Sequence, residues 1–409
     1  MDDYSQETLH RIQENYDTLI ELGICNNDDV ITSGGRYFTS SYGYDYSILG
    51  RSIQRNTNLK TLYMEPEDIM LSVADRGFFE GIKENSSIHE FKLSGYSEGG
   101  YAGDTRNPIG EVGCELLKAF QENNSNLTTL RIWACNIRNA SERVIINTTL
   151  SSCTNIKRMY FNHNNMTDEQ LLPMVEAIRG HRSLGTLSLN YNRFGNVGCQ
   201  ALASLLQDPS CNINTLDIHH NHINNEGAIA IANSLASNNK LMNLDITHNQ
   251  MNDEYEVQEA FVKLLCNTTS INDIYSSNHT LIDHDVQRRQ TQTHFSSLLQ
   301  MNKCENKSHV AIIKILKFHP NIDIEPLFEW GSNDEKNLMA LPYVVAWFDK
   351  ADEAVEMTRD YLDKREDWLD KTKERKLSAM YQFALAMPLM FIPASHIKTD
   401  DKKRKRISM

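Results

Sequence analysis

Asp217 and Asp245, together with His163, His219, His220 and His248, occupy matching places in successive similar stretches of a 409-residue chain. Three chemistries suit such residues. Grouped imidazoles can ligate zinc, though here no spacing forces the four histidines to converge and no cysteine joins them. Imidazoles near their ordinary pKa of ~6.5 can make an interface pH-sensitive. Two carboxylates held side by side raise each other's pKa, as expected for Asp217 and Asp245. A plain hydrated polar face is the remaining reading. Arg131, Trp133, Tyr160 and Tyr191 fall at the same places, and Arg and aromatic side chains dominate the energetics of protein contacts. Catalysis has little to rest on. There is no H-E-x-x-H, no G-x-S-x-G and no cysteine in a recognisable nucleophilic setting. The chain reads as a non-enzyme that needs no cofactor and no metal.

What must position these residues is a repeat. Leu184–Phe194, Ile213–Ile223 and Leu241–Met251 each fit L-x-x-L-x-L-x-x-N-x-φ, where φ is apolar. Ile156, Met159, Phe161, Asn164 and Met166 repeat it, as do Leu127, Leu130, Ile132, Cys135 and Ile137, with Cys in place of Asn. Weaker copies sit on Leu59/Leu62/Met64 and Ile88/Phe91/Leu93, and a degraded one on Ile271/Ile274. About eight copies follow one another at intervals of about 28 to 30 residues, with one wider interval before Leu130. Leu-x-Leu alternation is a short strand with one buried face. The Asn or Cys after it is short and polar enough to satisfy backbone groups where the chain turns inward. Between strands, Ala201, Leu202, Leu205 and Leu206, and likewise Ile229, Ala230, Ala232 and Leu235, line one side of a helix, with Asp168 and Asn225 as candidate N-caps. One strand and one helix cannot bury their own apolar faces, but stacked copies can. The expected fold is therefore α/β: a curved solenoid with parallel strands on the concave side and helices on the convex side.

In such a stack, equivalent strand positions form ladders across the concave face. The position between the last two apolar anchors gives Arg131, Tyr160, Ser188, Asp217, Asp245 and Tyr275. The next outward position gives Trp133, Asn162, Asn190, His219 and Thr247. The position before the Asn gives Ala134, His163, Tyr191, His220 and His248. From these ladders Arg131, Trp133, Tyr160, His163, Tyr191, Asp217, His220, Asp245 and His248 are the candidate protein-binding residues.

The form N-x-φ-x-x-x-G-x-x-x-L-x-x-x-L, best carried by Asn192–Leu206 and Asn221–Leu235, resembles ribonuclease-inhibitor-like leucine-rich repeats. The resemblance implies a concave face that binds another protein. The expected function is a non-catalytic scaffold or adaptor. The alternative is a regulator of an enzyme, inhibitor-like or activating a small GTPase, since this family includes activators of a nuclear-transport GTPase. Those carry an acidic tail, whereas this chain ends in Lys402, Lys403, Arg404, Lys405 and Arg406.

The repeats are expected over 45–282, after a leader or cap at 1–44 in which Thr8–Leu22 reads as helix and Tyr37–Tyr46 as loop. A helical extension follows over 283–398, then a basic tail over 399–409. The wider interval holds a Gly-rich insertion that lacks the Lys-Ser/Thr of a phosphate-binding loop. Around Gly99–Gly103 it is expected to touch the partner. The balance of 41 basic and 54 acidic residues, a net charge of −13, opposes binding a phosphate backbone. No apolar run reaches the ~20 residues of a membrane helix and no secretory signal is seen. The expectation is a cytoplasmic protein with reduced cysteines, whose basic cluster is of the kind that directs nuclear import.

Overall fold

The computed structural model describes residues 3–318, apart from 18–19, 26–35, 40–44, 66–74, 96–107, 124–125, 138, 253, 286–292 and 305–306. The Gly99–Gly103 stretch, the basic tail and the helical extension beyond residue 318 lie outside the described residues. The chain divides into two compact units, Met1–Asn267 with Ser276–Lys303, and Thr268–Tyr275 with Cys304–Met409.

The first unit is one all-parallel open sheet. Its strands are β1 (Glu21–Cys25), β2 (Arg36–Thr39), β3 (Thr61–Met64), β4 (Glu90–Ser94), β5 (Thr129–Trp133), β6 (Arg158–Tyr160), β7 (Thr186–Ser188), β8 (Thr215–Asp217), β9 (Asn243–Asp245) and β10 (Asp283–Asp285). From β3 to β10 sheet order follows chain order, while β1 lies between β3 and β2 at the far edge. A helix follows each strand from β3 to β9. This is the curved solenoid the repeat demands. The anchors pair in one row: Leu62, Phe91, Leu130, Met159, Leu187, Leu216 and Leu244. All are 3% exposed or less, so the core runs as a continuous sheet–helix seam.

Successive repeats also cap one another. Asp168 is not itself an N-cap; Thr167 holds that place, in a capping box with Gln170. Asp168 Oδ1 instead accepts the N–H groups of Gly195 and Gly198, both at 2.8 Å, at the start of the next helix. A Cβ on Gly198 would stand 2.8 Å from that oxygen, so this close approach requires glycine. In the following helix Asn224, rather than Asn225, caps, accepting from Glu226 N–H and Gly227 N–H.

Both ends of the repeat differ from expectation. The first helix is Asp3–Gln13, and Leu22 belongs to β1. Leu22 and Ile24 alternate about Gly23 and both are fully buried, which is strand periodicity. Residues 36–39 are strand rather than loop. At the other end Ile271 and Ile274 lie in a helix, Ile271–Tyr275, in the second unit. The last strand is β10, pairing His284 with Leu244. Among the described residues the sheet therefore has ten strands, and it runs beyond 45–282 at both ends. The helix Thr293–Asn302 closes the first unit, with Asn302 Nδ2 donating to Leu281 O at 2.7 Å.

Of the second unit, the helices Ile271–Tyr275 and Lys307–Phe318 are described. They pack together with Ile274, Val310 and Ala311 buried. Among the described residues no helix is long and apolar enough to cross a membrane.

Candidate functional site

The repeats of β5 to β9 turn after their strands through left-handed backbone at one shared position, and Asn165 adds a second such residue after β6. Ala134, His163, Tyr191, His220 and His248 have φ of 55°, 61°, 55°, 51° and 56°. Backbone bonds tie each turn to the next. His163 N–H donates to Asn190 O at 3.0 Å, Tyr191 N–H to His219 O at 3.1 Å and His220 N–H to Thr247 O at 3.0 Å. With the turns locked near the strand spacing of about 4.8 Å, their side chains stack. His163 lies on Tyr191 with ring centres 4.1 Å apart, Tyr191 on His220 at 4.2 Å and His220 on His248 at 4.3 Å, all within 13° of parallel. Trp133 meets His163 edge-on at 6.1 Å. Trp133 is 46% exposed and Tyr191 40%, so the row presents aromatic surface to solvent. Tyr191, Arg193, His220, His222 and His248 also border an open groove of about 280 Å³.

The residue after each of these turns points inward. Asn164 and Asn192 are nearly fully buried, as is Asn221. Asn192 Nδ2 donates to Phe161 O and Leu189 O, both at 2.8 Å, while its Oδ1 accepts from Asn164 N–H at 3.0 Å and Met166 N–H at 3.1 Å. Cys135, at the same place, donates its N–H to Asn164 Oδ1 at 2.7 Å.

On the strands themselves the face has two characters. Toward β3–β6 its charges are matched. Lys92 Nζ pairs with Glu21 at 3.2 Å and Arg131 Nε with Glu90 at 2.7 Å, and the Arg131 guanidinium lies 3.9 Å from the Tyr160 ring centre. Toward β7–β9 it carries Asp217, Asp245 and His219. His219 Nδ1 is 2.5 Å from Asp217 Oδ1 and 3.5 Å from Asp245 Oδ2. Asp217 Oδ2 accepts from Ser188 Oγ at 2.9 Å and Asn190 Nδ2 at 2.6 Å. Asp245 Oδ1 accepts from Thr247 N–H at 3.0 Å and Thr247 Oγ at 2.7 Å.

The expectation that Asp217 and Asp245 raise each other does not describe Asp217. Burial pushes it up, but the hydrogen bond and charge of His219, with Asn190 and Ser188, outweigh this and hold it below the ordinary value. The Asp217 hydrogen bond in turn raises His219, against its burial and with help from both carboxylates. Burial lowers His220, and the neighbouring His248 and His219 add to that. Ser188, His219 and Asp217 do not form a hydrolytic triad. The serine donates to the carboxylate rather than to the imidazole that would have to activate it.

The nine candidate residues thus fall into three groups. Arg131 and Tyr160 make the matched end, Asp217 and Asp245 the acidic end, and Trp133, His163, Tyr191, His220 and His248 the ring row. Tyr275, expected on the strand ladder, sits on a helix of the second unit. A second buried row escaped the sequence reading. Asn56, Asn85, Asn238 and Asn278 lie where helix gives way to strand. Each accepts two backbone N–H groups through its Oδ1: Asn58 and Leu59, Ser87 and Ile88, Lys240 and Leu241, Thr280 and Leu281. The signal is N-x-x-[LI] just before a strand. His181 stands in the same place before Leu184.

The family description "Leucine Rich repeat" matches residues 180–203 and 210–232, the two repeats that carry β7 and β8. The mouse ribonuclease inhibitor is 24% identical over 177 residues, which cover 36% of this chain and 39% of that protein. The chain is similar to leucine-rich repeat proteins of the ribonuclease-inhibitor-like kind. The chain is also 24% identical over 172 residues, 42% of its length, to mouse "NACHT, LRR and PYD domains-containing protein 5". The chain spans about 14% of the length of that relative. Among solved structures, an internalin (InlF) of Listeria monocytogenes matches 63% of the chain and 55% of its own, at 13% identity and a TM-score of 0.34. Leucine-rich repeats of this kind are in general scaffolds for protein interaction.

Proposed function

We propose that this protein is a non-catalytic adaptor whose concave face and ring row bind another protein. The observation that carries the reading is the unbroken stack His163–Tyr191–His220–His248, continued edge-on by the exposed Trp133. Exposed aromatic surface of this extent invites a protein partner. The rings are already ordered by stacking and by their locked turns, so little side-chain entropy is lost on contact. Arg131 over Tyr160 extends the surface along the face, and Asp217, Asp245 and the groove beside His220 give it polarity. The acidic balance argues against a nucleic-acid partner. No cofactor enters the reading.

The test is affinity capture from native lysate with the intact protein and with a Trp133→Ala/Tyr160→Ala/His220→Ala variant of verified fold. A partner retained by the first and lost by the second is expected. Equal recovery on both would remove the ring row and the Arg131–Tyr160 patch from the interface.

A further inference from the structure

The sequence raised zinc on four imidazoles. The structure places three of them otherwise: His163, His220 and His248 take part in a face-to-face stack, and among the described residues the convergent donors are Asp217, His219 and Asp245. We propose instead that Asp217, His219 and Asp245 form a binding site for a divalent transition-metal ion, with zinc the ion that suits the donor set.

The fold brings these three together by two independent rules. The parallel register sets Asp217 opposite Asp245 on neighbouring strands. Period-two alternation returns His219 to the face of Asp217 two residues on. One donor atom from each lies within 4.8 Å of the others. The set is one imidazole and two carboxylates, a combination that zinc accepts and that balances a divalent charge. Tetrahedral bonds of about 2.0–2.1 Å place ligand atoms about 3.3 Å apart. The His219–Asp245 separation of 3.5 Å already fits, and the His219–Asp217 hydrogen bond at 2.5 Å must open by under about 1 Å.

The surroundings orient the donors. On each carboxylate one oxygen is occupied by neutral donors, Ser188 and Asn190 on Asp217 and Thr247 on Asp245. That leaves Asp245 Oδ2 and Asp217 Oδ1, the latter also accepting His219 N–H at 3.3 Å, turned toward His219 Nδ1. Such outer hydrogen bonds are what fix ligand geometry in metal sites. The His219 ring is held edge-on by Tyr191 at 5.1 Å and His220 at 5.3 Å. Among the described residues no lysine or arginine pairs with either carboxylate, unlike Glu21 and Glu90 on the same sheet. Three protein ligands leave a fourth position of a tetrahedral ion for water or another ligand. The inference does not depend on who the protein partner is.

The experiment is titration of the chelator-stripped full chain with Zn²⁺ by calorimetry and with Co²⁺ by visible absorption. The comparison variants are Asp217→Asn/Asp245→Asn, which keeps shape and hydrogen-bonding capacity, and His219→Ala alone. One zinc per chain is expected, weakened at least roughly tenfold in each variant, with cobalt bands of nitrogen–oxygen type. Absence of micromolar binding would overturn the proposal. So would binding that both variants retain, or a cobalt spectrum with thiolate charge-transfer bands, since the ion would then sit elsewhere. Circular dichroism on the variants separates a lost site from a lost fold, and the cobalt spectrum of the unmutated chain decides independently of them.

Discussion

Two rows of side chains run along the same set of turns, one residue apart, and they do opposite work. The outer row is Ala134, His163, Tyr191, His220 and His248; the inner row is Cys135, Asn164, Asn192, Asn221 and Asn249. The outer residues bear the left-handed backbone, and from His163 to His248 they show their rings to solvent, while Ala134 is buried. The inner asparagines spend their amides on backbone groups that would otherwise lack partners, as Asn249 does for Asn221 N–H and Ile223 N–H, both at 3.1 Å, while Cys135 offers its thiol to Trp133 O. The turn thus divides labour between neighbours. The inner position demands one chemistry, a short side chain that pairs with backbone. The outer position demands only a backbone conformation, so its side chain is open to selection for contact with something else. Stability should therefore be concentrated in the inner row and recognition in the outer.

The largest effect separating them is expected at Asn192 and Tyr191. Asn192→Ala would remove the acceptor of two buried N–H groups and the side-chain donor to Phe161 O at once, while Leu189 O keeps Asn221 Nδ2 at 3.1 Å. At about 1–3 kcal/mol for each unsatisfied buried group, the loss should be about 3 kcal/mol or more, a large part of the roughly 5–15 kcal/mol available to a domain. Tyr191→Ala removes an exposed, stacked ring and should cost under about 1 kcal/mol. Urea denaturation of the two variants beside the parent measures both. Similar losses would mean that the outer row is structural too, and would weaken its assignment to binding.

Histidine appears in both kinds of place, which allows a finer cut. His181 is 5% exposed and replaces the Asn of the second buried row. Burial lowers its pKa, with the Leu150 backbone opposing more weakly. The unfolded imidazole takes up a proton near the ordinary ~6.5, while the folded one resists until a lower pH. In that window the unfolded state binds more protons, so this group's contribution to stability falls as pH drops below about 6.5. His181→Asn restores the amide found at Asn85 and Asn238 and removes the titration. The expected outcome is a smaller drop in Tm between about pH 7 and pH 5.5 than in the parent. An unchanged drop would assign the acid sensitivity to other groups.

Much of this architecture was legible in the residues because the repeat is carried by large apolar anchors. All seven anchors from Leu62 to Leu244 pair in the expected register, since a slip would put every Leu on the wet face. The ends were harder to read. β1 offers only Leu22 and Ile24 around a glycine, a pattern too short to separate from a helix. At the other end Ile271/Ile274 imitated the anchor spacing, while the true signal, Asn278-x-x-Leu281, was a polar cue belonging to the row the reading missed. The site was legible as a set of positions but not as chemistry. That three imidazoles join one stack follows from the left-handed turns. That Asp217 falls in pKa follows from the hydrogen bond and charge of His219 beside it, which overcome burial.

The smallest effect tests the premise about the outer row itself. If that position is constrained by backbone alone, then glycine, which enters φ near +55° without steric cost, should be favoured over alanine there. Tyr191→Gly and Tyr191→Ala lose the same stacking on His163 and His220, so their difference isolates the backbone term. A non-glycine residue in left-handed conformation costs roughly 1–2 kcal/mol, partly offset by the greater freedom of glycine in the unfolded chain. The glycine variant should come out more stable by about 0.5–1 kcal/mol, read from urea midpoints at equal m-values. Alanine equal to or better than glycine would show that the turn relaxes out of the left-handed region once the ring is gone. The stack would then hold the turn, the reverse of the dependence inferred from the backbone bonds between repeats.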